Sequence, residues 1–506
     1  MRKLRIAAVG AASAIVLTAI PGQSVAVDEV YTQRLENGVT VGGILGHERV
    51  LQRIANQNDG TRASGTTGYT ASANYVKNTL RRAGYTVSQQ RFSFPFFREL
   101  SPASLSQVSP TPTDYETATF SYSGSGDVTG EVVPIDVQIP PPAEPGSTSG
   151  CEASDFPAPP SPTAVALIQR GTCDFVVKSD NAAAAGYAAA IIFNEGQTDR
   201  TGLIGGTLGS PADIPVVDLS FADGKALSDS ADQEETIVNV VTETESKLNA
   251  RTSNIIATSK QGNPDKAVVV GAHLDSVTTG AGINDNGSGT AALLEIAEEI
   301  ADLPADPRQQ VRFAFWGAEE SGLLGSEHYV ANLSNAELTK IVANLNFDML
   351  GSTNYVRFVY DGDGSASAPA GPPGSAQIEE IFTDYFDGKG LESEPTAFDG
   401  RSDYGPFIAA GIPAGGLFSG AEGVKTPEQA AVYGGTAGEA YDPCYHQACD
   451  TMTNLSTAAL NEMGDAAAHA TWTLARTRSG FYEDGSLRKA PYRAPKFEYD
   501  GSHVRR

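Results

Sequence analysis

The sequence is poor in basic residues, which excludes two broad classes of partner. Its 506 residues contain 35 Lys and Arg against 61 Asp and Glu, so the formal net charge is −26. A protein of this charge is repelled by the phosphate backbone of nucleic acids and by the anionic face of a membrane. We therefore expect neither nucleic acid nor a membrane surface as a partner.

Long apolar runs are also missing, except at the N-terminus. Three basic residues in the first five positions precede an apolar run at 6–20, and small residues at 24–26 suit a cleavage site. This pattern is typical of a secretory signal peptide, here residues 1–26. The run is short for a membrane anchor, and no other stretch of the sequence could span a bilayer. The sequence thus predicts a secreted, extracellular protein.

Cysteine is scarce, with four residues in the whole chain. Export permits disulfides, and four cysteines allow three pairings. The most local choice joins Cys151 to Cys173 and Cys444 to Cys449. The C-x-x-C spacing of cysteine-rich zinc sites is absent, so we do not expect either pair to bind a metal.

The segment 266–324 carries the clearest structural pattern of the chain. Its apolar runs Ala267–Gly271 and Val311–Phe315 have the length of buried strands, and Thr290–Ile300 between them has helical character. The order strand, helix, strand indicates a parallel βαβ unit. The sequence therefore predicts an α/β fold with a mostly parallel central sheet and helices on both faces. Amphipathic patterns predict further helices at 42–55, 70–83 and 457–476, and a strand at 86–97.

Several histidines and acidic residues follow strand-like runs or tight loops. The candidates for metal ligands are His273, Asp285, Glu320, Asp348 and His446. Hydrolytic zinc is held by imidazole and carboxylate groups, and two-metal sites need a bridging carboxylate. Asp285 can act as the bridge between two metals that each take one histidine. Glu319, beside a ligand, is left free to accept a proton from the attacking water.

Each of these residues has an ordinary interpretation when it is taken alone. A single Asp at a strand end is usually a turn former or a helix cap, and Glu319–Glu320 resembles a solvated helix start. His328 and His469 lack such partners, so we expect structural or surface roles for them. The combination is what indicates a metal site.

Two further carboxylates are placed to orient the ligating histidines. Asp275 comes two residues after His273, and Asp450 comes four residues after His446. Metal-bound histidines usually donate their other ring N–H to such a group. By contrast, we expect the polar segment around Arg62 to be a plain loop.

Five motifs in a fixed order resemble those of one enzyme family, the co-catalytic dizinc aminopeptidases, and in particular its secreted bacterial leucine-type members. The motifs are AHLDS (272–276), GINDNGSG (282–289), GAEESGLLGS (317–326), NFDM (346–349) and CYHQACD (444–450). The resemblance implies the zinc exopeptidase fold, two zinc ions, and peptide substrates with a free N-terminus. It implies that His273 and Asp348 hold one zinc, that Glu320 and His446 hold the other, and that Asp285 bridges them.

The same resemblance implies roles for residues around the substrate. Glu319 matches the general base, and Tyr445 matches a tyrosine that polarises the scissile carbonyl and stabilises the oxyanion. Arg401 matches an arginine near the substrate, and Phe418 matches a wall of the specificity pocket. A disulfide between Cys444 and Cys449 would constrain the loop that carries Tyr445.

Some properties stay open at this stage. Asp399 cannot be matched to the family, but if it faces the pocket it would favour basic side chains over leucine. Relatives imply that calcium is possible, although no ligand pattern in the sequence assigns it. A monomer is the default expectation for a secreted exopeptidase.

A second resemblance concerns the middle of the chain, where Pro, Ser, Thr and Gly are frequent. IQRGTCDF (168–175) and AGYAA (185–189) are similar to a protease-associated (PA) domain, a non-catalytic module that gates substrates or contacts partners. It would split the peptidase domain in two. The expected division is a signal peptide at 1–26, an N-terminal peptidase part at 27–108, the inserted PA domain at 109–247, the main peptidase part at 248–480 and a C-terminal extension at 481–506.

Two alternatives compete with an aminopeptidase. Some binding proteins combine a PA-like module with a peptidase-like domain that lacks its metal ligands, whereas here all the ligand positions and Glu319 are filled. A carboxypeptidase, a dipeptidase or a glutaminyl cyclase could use the same scaffold. A cyclase would need only one zinc, which leaves one of the two histidines unexplained.

Overall fold

The computed structural model of the chain describes residues 30–478. The predicted signal peptide (1–26) and the predicted C-terminal extension (481–506) lie outside the described residues. Among the described helices, none combines the length and the apolar character that a membrane span requires.

Thirteen strands join in one continuous sheet. They are β1 Thr86–Ser109, β2 Thr113–Tyr115, β3 Gly126–Ile135, β4 Val165–Gln169, β5 Ala189–Phe193, β6 Val216–Leu219, β7 Ile237–Thr258, β8 Asn263–His273, β9 Gln309–Trp316, β10 Ile341–Phe347, β11 Phe358–Tyr360, β12 Glu394–Thr396 and β13 Ala414–Phe418. The strand order is β12-β11-β13-β10-β8-β9-β7-β3-β4-β5-β6, with β1 beside β7 and β2 beside β1.

Helices surround this sheet. They are α1 Gln33–Gly38, α2 Val41–Asn56, α3 Thr67–Arg82, α4 Phe175–Ala185, α5 Phe221–Gln233, α6 Gly289–Asp302, α7 Leu324–Ala331, α8 Asn335–Leu338, α9 Ser375–Lys389, α10 Gly405–Ala409, α11 Pro427–Tyr433 and α12 Thr457–Arg476. A short 3-10 helix, Ala153–Asp155, and one turn of π-helix, Ile283–Ser288, complete the list. The predicted helix at 457–476 is confirmed, and the two N-terminal helices begin and end within three residues of their predicted bounds.

The predicted βαβ unit forms the centre of the larger, C-terminal part of the chain. Strand β8 pairs in parallel with β9 on one side and with β10 on the other, and α6 connects β8 to β9. Leu293, Leu294 and Ile296 of α6 are completely buried in the main core. Each such side chain contributes about 1.5–3 kcal/mol by leaving water. The mostly parallel α/β sheet predicted from the sequence is therefore confirmed.

Two long antiparallel strands, β1 and β7, connect this part to the middle of the chain. They remain paired from Thr86–Thr258 to Ser109–Ile237, with several bulges. Beyond them, β3 to β6 form a parallel arrangement with α4 and α5 and two hydrophobic clusters of their own. Strand β1 is twice as long as the predicted strand at 86–97, because its second half is defined by pairing with β7 rather than by a local apolar pattern.

Candidate metal centre

The structure brings the predicted metal ligands together at the carboxyl ends of the central strands. This edge is where ligands bind in open α/β sheets. His273 is the last residue of β8 and Asp348 directly follows β10. Asp285 lies in the π-helical turn before α6, Glu320 lies between β9 and α7, and His446 lies in the loop before α12.

The side chains of this group form two clusters that share one carboxylate. His273 Nε2 lies 3.1 Å from Asp285 Oδ1 and 3.1 Å from Asp348 Oδ1. His446 Nε2 lies 3.2 Å from Asp285 Oδ2 and 3.1 Å from Glu320 Oε2. Asp285 therefore presents one oxygen to each histidine, as a bridging carboxylate must.

The donor set fits two zinc ions. Ligand atoms that share a tetrahedral zinc at about 2.0–2.2 Å lie roughly 3.4 Å apart, close to the separations in each cluster. Glu320 Oε1 is buried and has no hydrogen-bond partner among the described residues, which leaves it available to a metal. Burial alone lowers the pKa of His446, but Glu320 and Asp285 raise it to about 11. A site that retains a proton so firmly also favours a divalent cation in the same position.

Glu319 lies beside His273 and Asp348: one ligand atom of each of the three residues lies within 4.8 Å of the others. It is buried, and its backbone N–H donates to Asp275 Oδ1 at 3.3 Å. Burial raises the pKa of the Glu319 carboxyl well above its usual range; His273 opposes this, and Asp348 reinforces it. A carboxylate with a raised pKa is a stronger proton acceptor, which suits a general base.

Asp275 lies beside His273, whereas the backbone groups that Asp450 accepts belong to the Asp285 loop. The closest partner of His273 Nδ1 is the backbone carbonyl of Asp275, at 3.1 Å, whereas the Asp275 carboxylate is 3.9 Å away. Asp450 accepts the backbone N–H groups of Asn284 and Asp285 at 2.8 and 3.0 Å. Asp450 therefore supports the loop of the proposed bridging ligand.

Arg62 has a structural role that the sequence interpretation missed. The segment is a loop, as expected, but the guanidinium is fully buried. It donates to the carbonyl of Leu274, just after β8, and to the carbonyls of Ala281 and Gly282, where the Asp285 loop begins. Arg62 thus ties the segments that carry His273 and Asp285 to each other.

Ser402, the neighbour of Arg401 in the sequence, was also missed. Its hydroxyl donates to Asp348 Oδ2 at 2.6 Å and accepts from Asn346 Nδ2 at 2.8 Å. Asp348 therefore has one oxygen directed at His273 and the other held by Ser402. A hydroxyl in this position orients a ligating carboxylate.

A cleft of about 530 Å³ opens over the two clusters. Its lining includes Tyr445, Phe418, Arg401 and Asp399. The ring of Tyr445 stacks on His446 with 3.8 Å between centroids, and burial raises the pKa of the Tyr445 hydroxyl far above its usual range. This hydroxyl therefore remains a hydrogen-bond donor.

The other three side chains of the cleft each contact a neighbouring residue. Phe418 stacks against Phe358, with ring centroids 6.0 Å apart. Arg401 is about half exposed and forms an ion pair with Glu422 at 2.7 Å. Asp399 accepts the hydroxyl of Tyr404 at 2.8 Å through Oδ1.

The structure contains both of the most local disulfides, with Cα–Cα distances of 5.8 Å for Cys151–Cys173 and 5.4 Å for Cys444–Cys449. The second one closes the loop that carries Tyr445 and His446. The other two histidines considered in the sequence have structural contacts. The ring of His328 stacks on Phe92, and His469 forms a hydrogen bond with Thr32.

Comparison with known proteins identifies both parts of the chain. The model of peptidase family M28 matches residues 254–471, and the PA domain model matches residues 128–227. An aminopeptidase of Pseudomonas aeruginosa is 52% identical over 83% of this chain and 78% of its own length. Leucine aminopeptidase 2 of Trichophyton equinum is 37% identical over 88% of this chain and 86% of its own length. The structure of a zinc aminopeptidase from Bacillus subtilis matches with a TM-score of 0.60 and 27% identity, covering 87% of this chain and 95% of that one.

Proposed function

Because this chain belongs to peptidase family M28 and is a zinc aminopeptidase, we propose that it is an exported enzyme that uses two zinc ions to release N-terminal, Leu-like residues from peptides. The observation that carries the proposal is the position of Asp285 between His273 and His446, with one oxygen directed at each. Export is supported by the N-terminal pattern of residues 1–26 and by two disulfides, which persist in oxidising compartments.

The proposed ligands divide into two sets. His273 and Asp348 would hold one zinc, Glu320 and His446 would hold the other, and Asp285 would belong to both sets. When bound, zinc polarises the scissile carbonyl and lowers the pKa of water, which prepares a nucleophile at neutral pH.

The chain's own residues then carry the proton transfers. Glu319 accepts the proton of the attacking water and passes it to the amine that leaves, in line with its raised pKa and its place beside both clusters. Tyr445 donates its hydroxyl to the oxygen on which negative charge develops. Its stacking on His446 holds that hydroxyl in the cleft.

The carboxylates of the centre account for cleavage at the N-terminal end of a peptide substrate. A free α-ammonium group carries one positive charge, and the carboxylates that line the cleft offer it acceptors. A blocked N-terminus has no such charge, so it loses these interactions. We therefore propose substrates with a free N-terminus, and a monomeric enzyme that binds neither nucleic acid nor membranes.

The specificity pocket combines an aromatic wall with one carboxylate. Phe418 and Tyr360 line the cleft and suit an apolar side chain such as leucine. The name of the Trichophyton equinum relative, a leucine aminopeptidase, supports the same preference. Asp399 also lines the cleft, and it adds an acceptor for the amino group of a lysine side chain. Its Oδ1 already accepts the Tyr404 hydroxyl and the backbone N–H of Arg401, which weakens its attraction for a basic side chain. We therefore propose that leucine is preferred and that lysine is accepted, in place of the preference for basic side chains that Asp399 alone would give.

The test uses the purified mature enzyme with Leu-, Lys- and Glu-p-nitroanilide. We expect cleavage in the order Leu, Lys, Glu, loss of activity on chelation, and recovery on adding zinc. Glu319→Gln should lower kcat by at least about 100-fold while zinc remains bound, because a general base typically contributes 10²–10⁴-fold. Asp399→Asn should reduce cleavage of Lys-p-nitroanilide and leave Leu-p-nitroanilide unchanged.

Several results would contradict the proposal. Near-full activity of Glu319→Gln would remove Glu319 from the mechanism, and one bound zinc per active chain would remove the bridging role of Asp285. Release of residues from the C-terminus of an N-acetylated peptide would indicate a carboxypeptidase. An unchanged Lys/Leu ratio in Asp399→Asn would exclude Asp399 from the specificity pocket.

A further inference from the structure

The segment that carries Glu319 and Glu320 has an unusual shape. It leaves β9 at Gly317 and enters α7 at Leu324. Within it, Ala318 and Leu323 have left-handed backbones, with φ of 57° and 60°. Non-glycine residues persist in this conformation only where their surroundings hold them there. Something outside the segment must therefore stabilise it.

The side chain of Asn254 contacts both ends of this segment. Asn254 is fully buried near the end of β7. Its Oδ1 accepts the backbone N–H of Gly317 at 3.1 Å, and its Nδ2 donates to the backbone carbonyl of Gly325 at 2.7 Å. One carboxamide thus closes a loop of which Glu319 and Glu320 form the middle.

The position of Asn254 in the sheet explains why a side chain takes this role. The ladder between β7 and β9 ends at the pair Ile255–Phe315. Asn254 directly precedes Ile255 on β7. At this point the backbone ladder to β9 has ended, and the carboxamide of Asn254 takes the place of the next backbone hydrogen bonds. Gly325 completes the fit, because a Cβ there would lie 2.5 Å from Asn254 Oδ1.

A second side chain supports the same segment. Ser64 Oγ accepts the backbone N–H of Ala318 at 2.7 Å and forms a hydrogen bond with Thr252 Oγ1 at 2.9 Å. Thr252, like Asn254, lies on β7, the strand that continues into the PA region. These side-chain contacts come from one strand and the loop packed on it, and they add to the bond from the Glu319 N–H to Asp275 Oδ1.

We infer that Asn254 is a positioning residue for catalysis, which holds the Gly317–Gly325 segment closed so that Glu319 and Glu320 keep their places in the centre. The inference rests on the proposed roles of these two glutamates. Asn254 is too deeply buried to act on substrate directly. Its carboxamide is suited to the role because it carries an acceptor and a donor on one short side chain.

The experiment compares Asn254→Ala with a matched control, Ser259→Ala. Ser259 is also buried, and its hydroxyl accepts the N–H of Val311 near the opposite end of β9. Each variant loses a buried hydrogen bond that a side chain on or next to β7 accepts from a backbone N–H in or directly after β9. Only Asn254→Ala should lower kcat on Leu-p-nitroanilide, by about 100-fold, with KM changed less than about threefold, because small misplacements of catalytic groups have effects of this size.

Hydrogen exchange measured by mass spectrometry gives a readout that does not depend on activity. In Asn254→Ala, peptides that cover 317–325 should exchange faster, and those of β10 should not. Asn254→Ser, which is too short to bond both ends of the segment but leaves an uncharged hydroxyl in the buried site, should lower kcat in the same way and serves as the decisive variant if Asn254→Ala does not fold.

Two results would overturn the inference. One is a kcat for the Asn254 variant within about threefold of the Ser259→Ala value. The other is faster exchange spread evenly over the sheet, which would mean a general loss of stability. If wild-type enzyme proved inactive on every p-nitroanilide, the proposed function would fail, while local exchange at 317–325 would still decide the role of Asn254.

Discussion

Replacing Ser402 with alanine should weaken one of the two proposed zinc sites and leave the other intact. Ser402 is 4% exposed and donates to Asp348 Oδ2 at 2.6 Å, a short bond to a charged acceptor. The substitution removes that bond and leaves Asn346 Nδ2, which donates to the same hydroxyl, without this partner. Asp348 can then rotate away from His273.

The expected magnitude follows from the charge on the acceptor. Hydrogen bonds to charged groups contribute about 1.5–3 kcal/mol. Since about 1.4 kcal/mol corresponds to a factor of ten, zinc affinity at the site of His273 and Asp348 should fall about 10- to 100-fold. This range agrees with the usual effect of losing a group that orients a metal ligand. The site of Glu320 and His446 should keep its affinity.

Titration with a competing chelator measures this directly, as bound zinc per chain against free zinc. In Ser402→Ala, the two zinc ions should be lost in two separate steps as the free zinc concentration falls. Ser402→Thr, which keeps a hydroxyl, should regain most of the affinity. Ser123→Ala is the control, because Ser123 is equally buried but accepts the N–H of Val216 far from the centre. Equal affinities in Ser402→Ala and Ser123→Ala would refute the assignment of Asp348 as a ligand oriented by Ser402.

Three other perturbations have clear expected outcomes. Arg62→Lys keeps the charge but cannot reach three carbonyls, so kcat/KM should fall about tenfold together with zinc content; an unchanged zinc content would contradict this. Cys444→Ser with Cys449→Ser should weaken zinc binding by His446 about tenfold, whereas the same change in the other disulfide should alter only Tm. Burial opposes ionisation of Glu36, yet hydrogen bonds from its neighbours lower its pKa from 4.5 to about 2. Its stabilising effect is thus complete above about pH 4.5 and lost as the pH falls towards 2, so Glu36→Gln should lower Tm by about 3–6 °C at pH 7 and by almost nothing at pH 2.

The residues of the centre that could be predicted from the sequence pattern are those that lie at the ends of strands. His273 and Asp348 directly follow apolar runs, and the carboxyl ends of parallel strands meet at one edge of a sheet. Their proximity requires in addition that the run before Asp348 joins the same sheet, as β10 does by pairing in parallel with β8. The loop residues Asp285 and His446 were found through their motifs, since nothing in local periodicity indicates where a loop turns.

The supporting residues could not be predicted in the same way. Arg62 and Ser402 contact segments more than 50 positions away, and such contacts depend on how helices and loops pack against the finished sheet. Asp450 accepts backbone N–H groups of the Asp285 loop, 165 positions away, and its four-residue spacing from His446 gave no sign of these contacts. The left-handed backbone of His446 is equally invisible in the sequence.

The two long strands β1 and β7 also have a consequence for the origin and the engineering of this architecture. At their base they pair residue by residue, from Thr86–Thr258 to Phe97–Ser246 with one bulge, as the arms of an ordinary hairpin would. A domain inserted in the turn of such a hairpin would lengthen the two strands without disturbing the hydrogen bonds between Thr86–Phe97 and Ser246–Thr258. The reverse operation should be equally simple. Joining Phe97 to Ser246 through a two-residue Asn-Gly turn would restore a short hairpin and yield a minimal peptidase without the PA region.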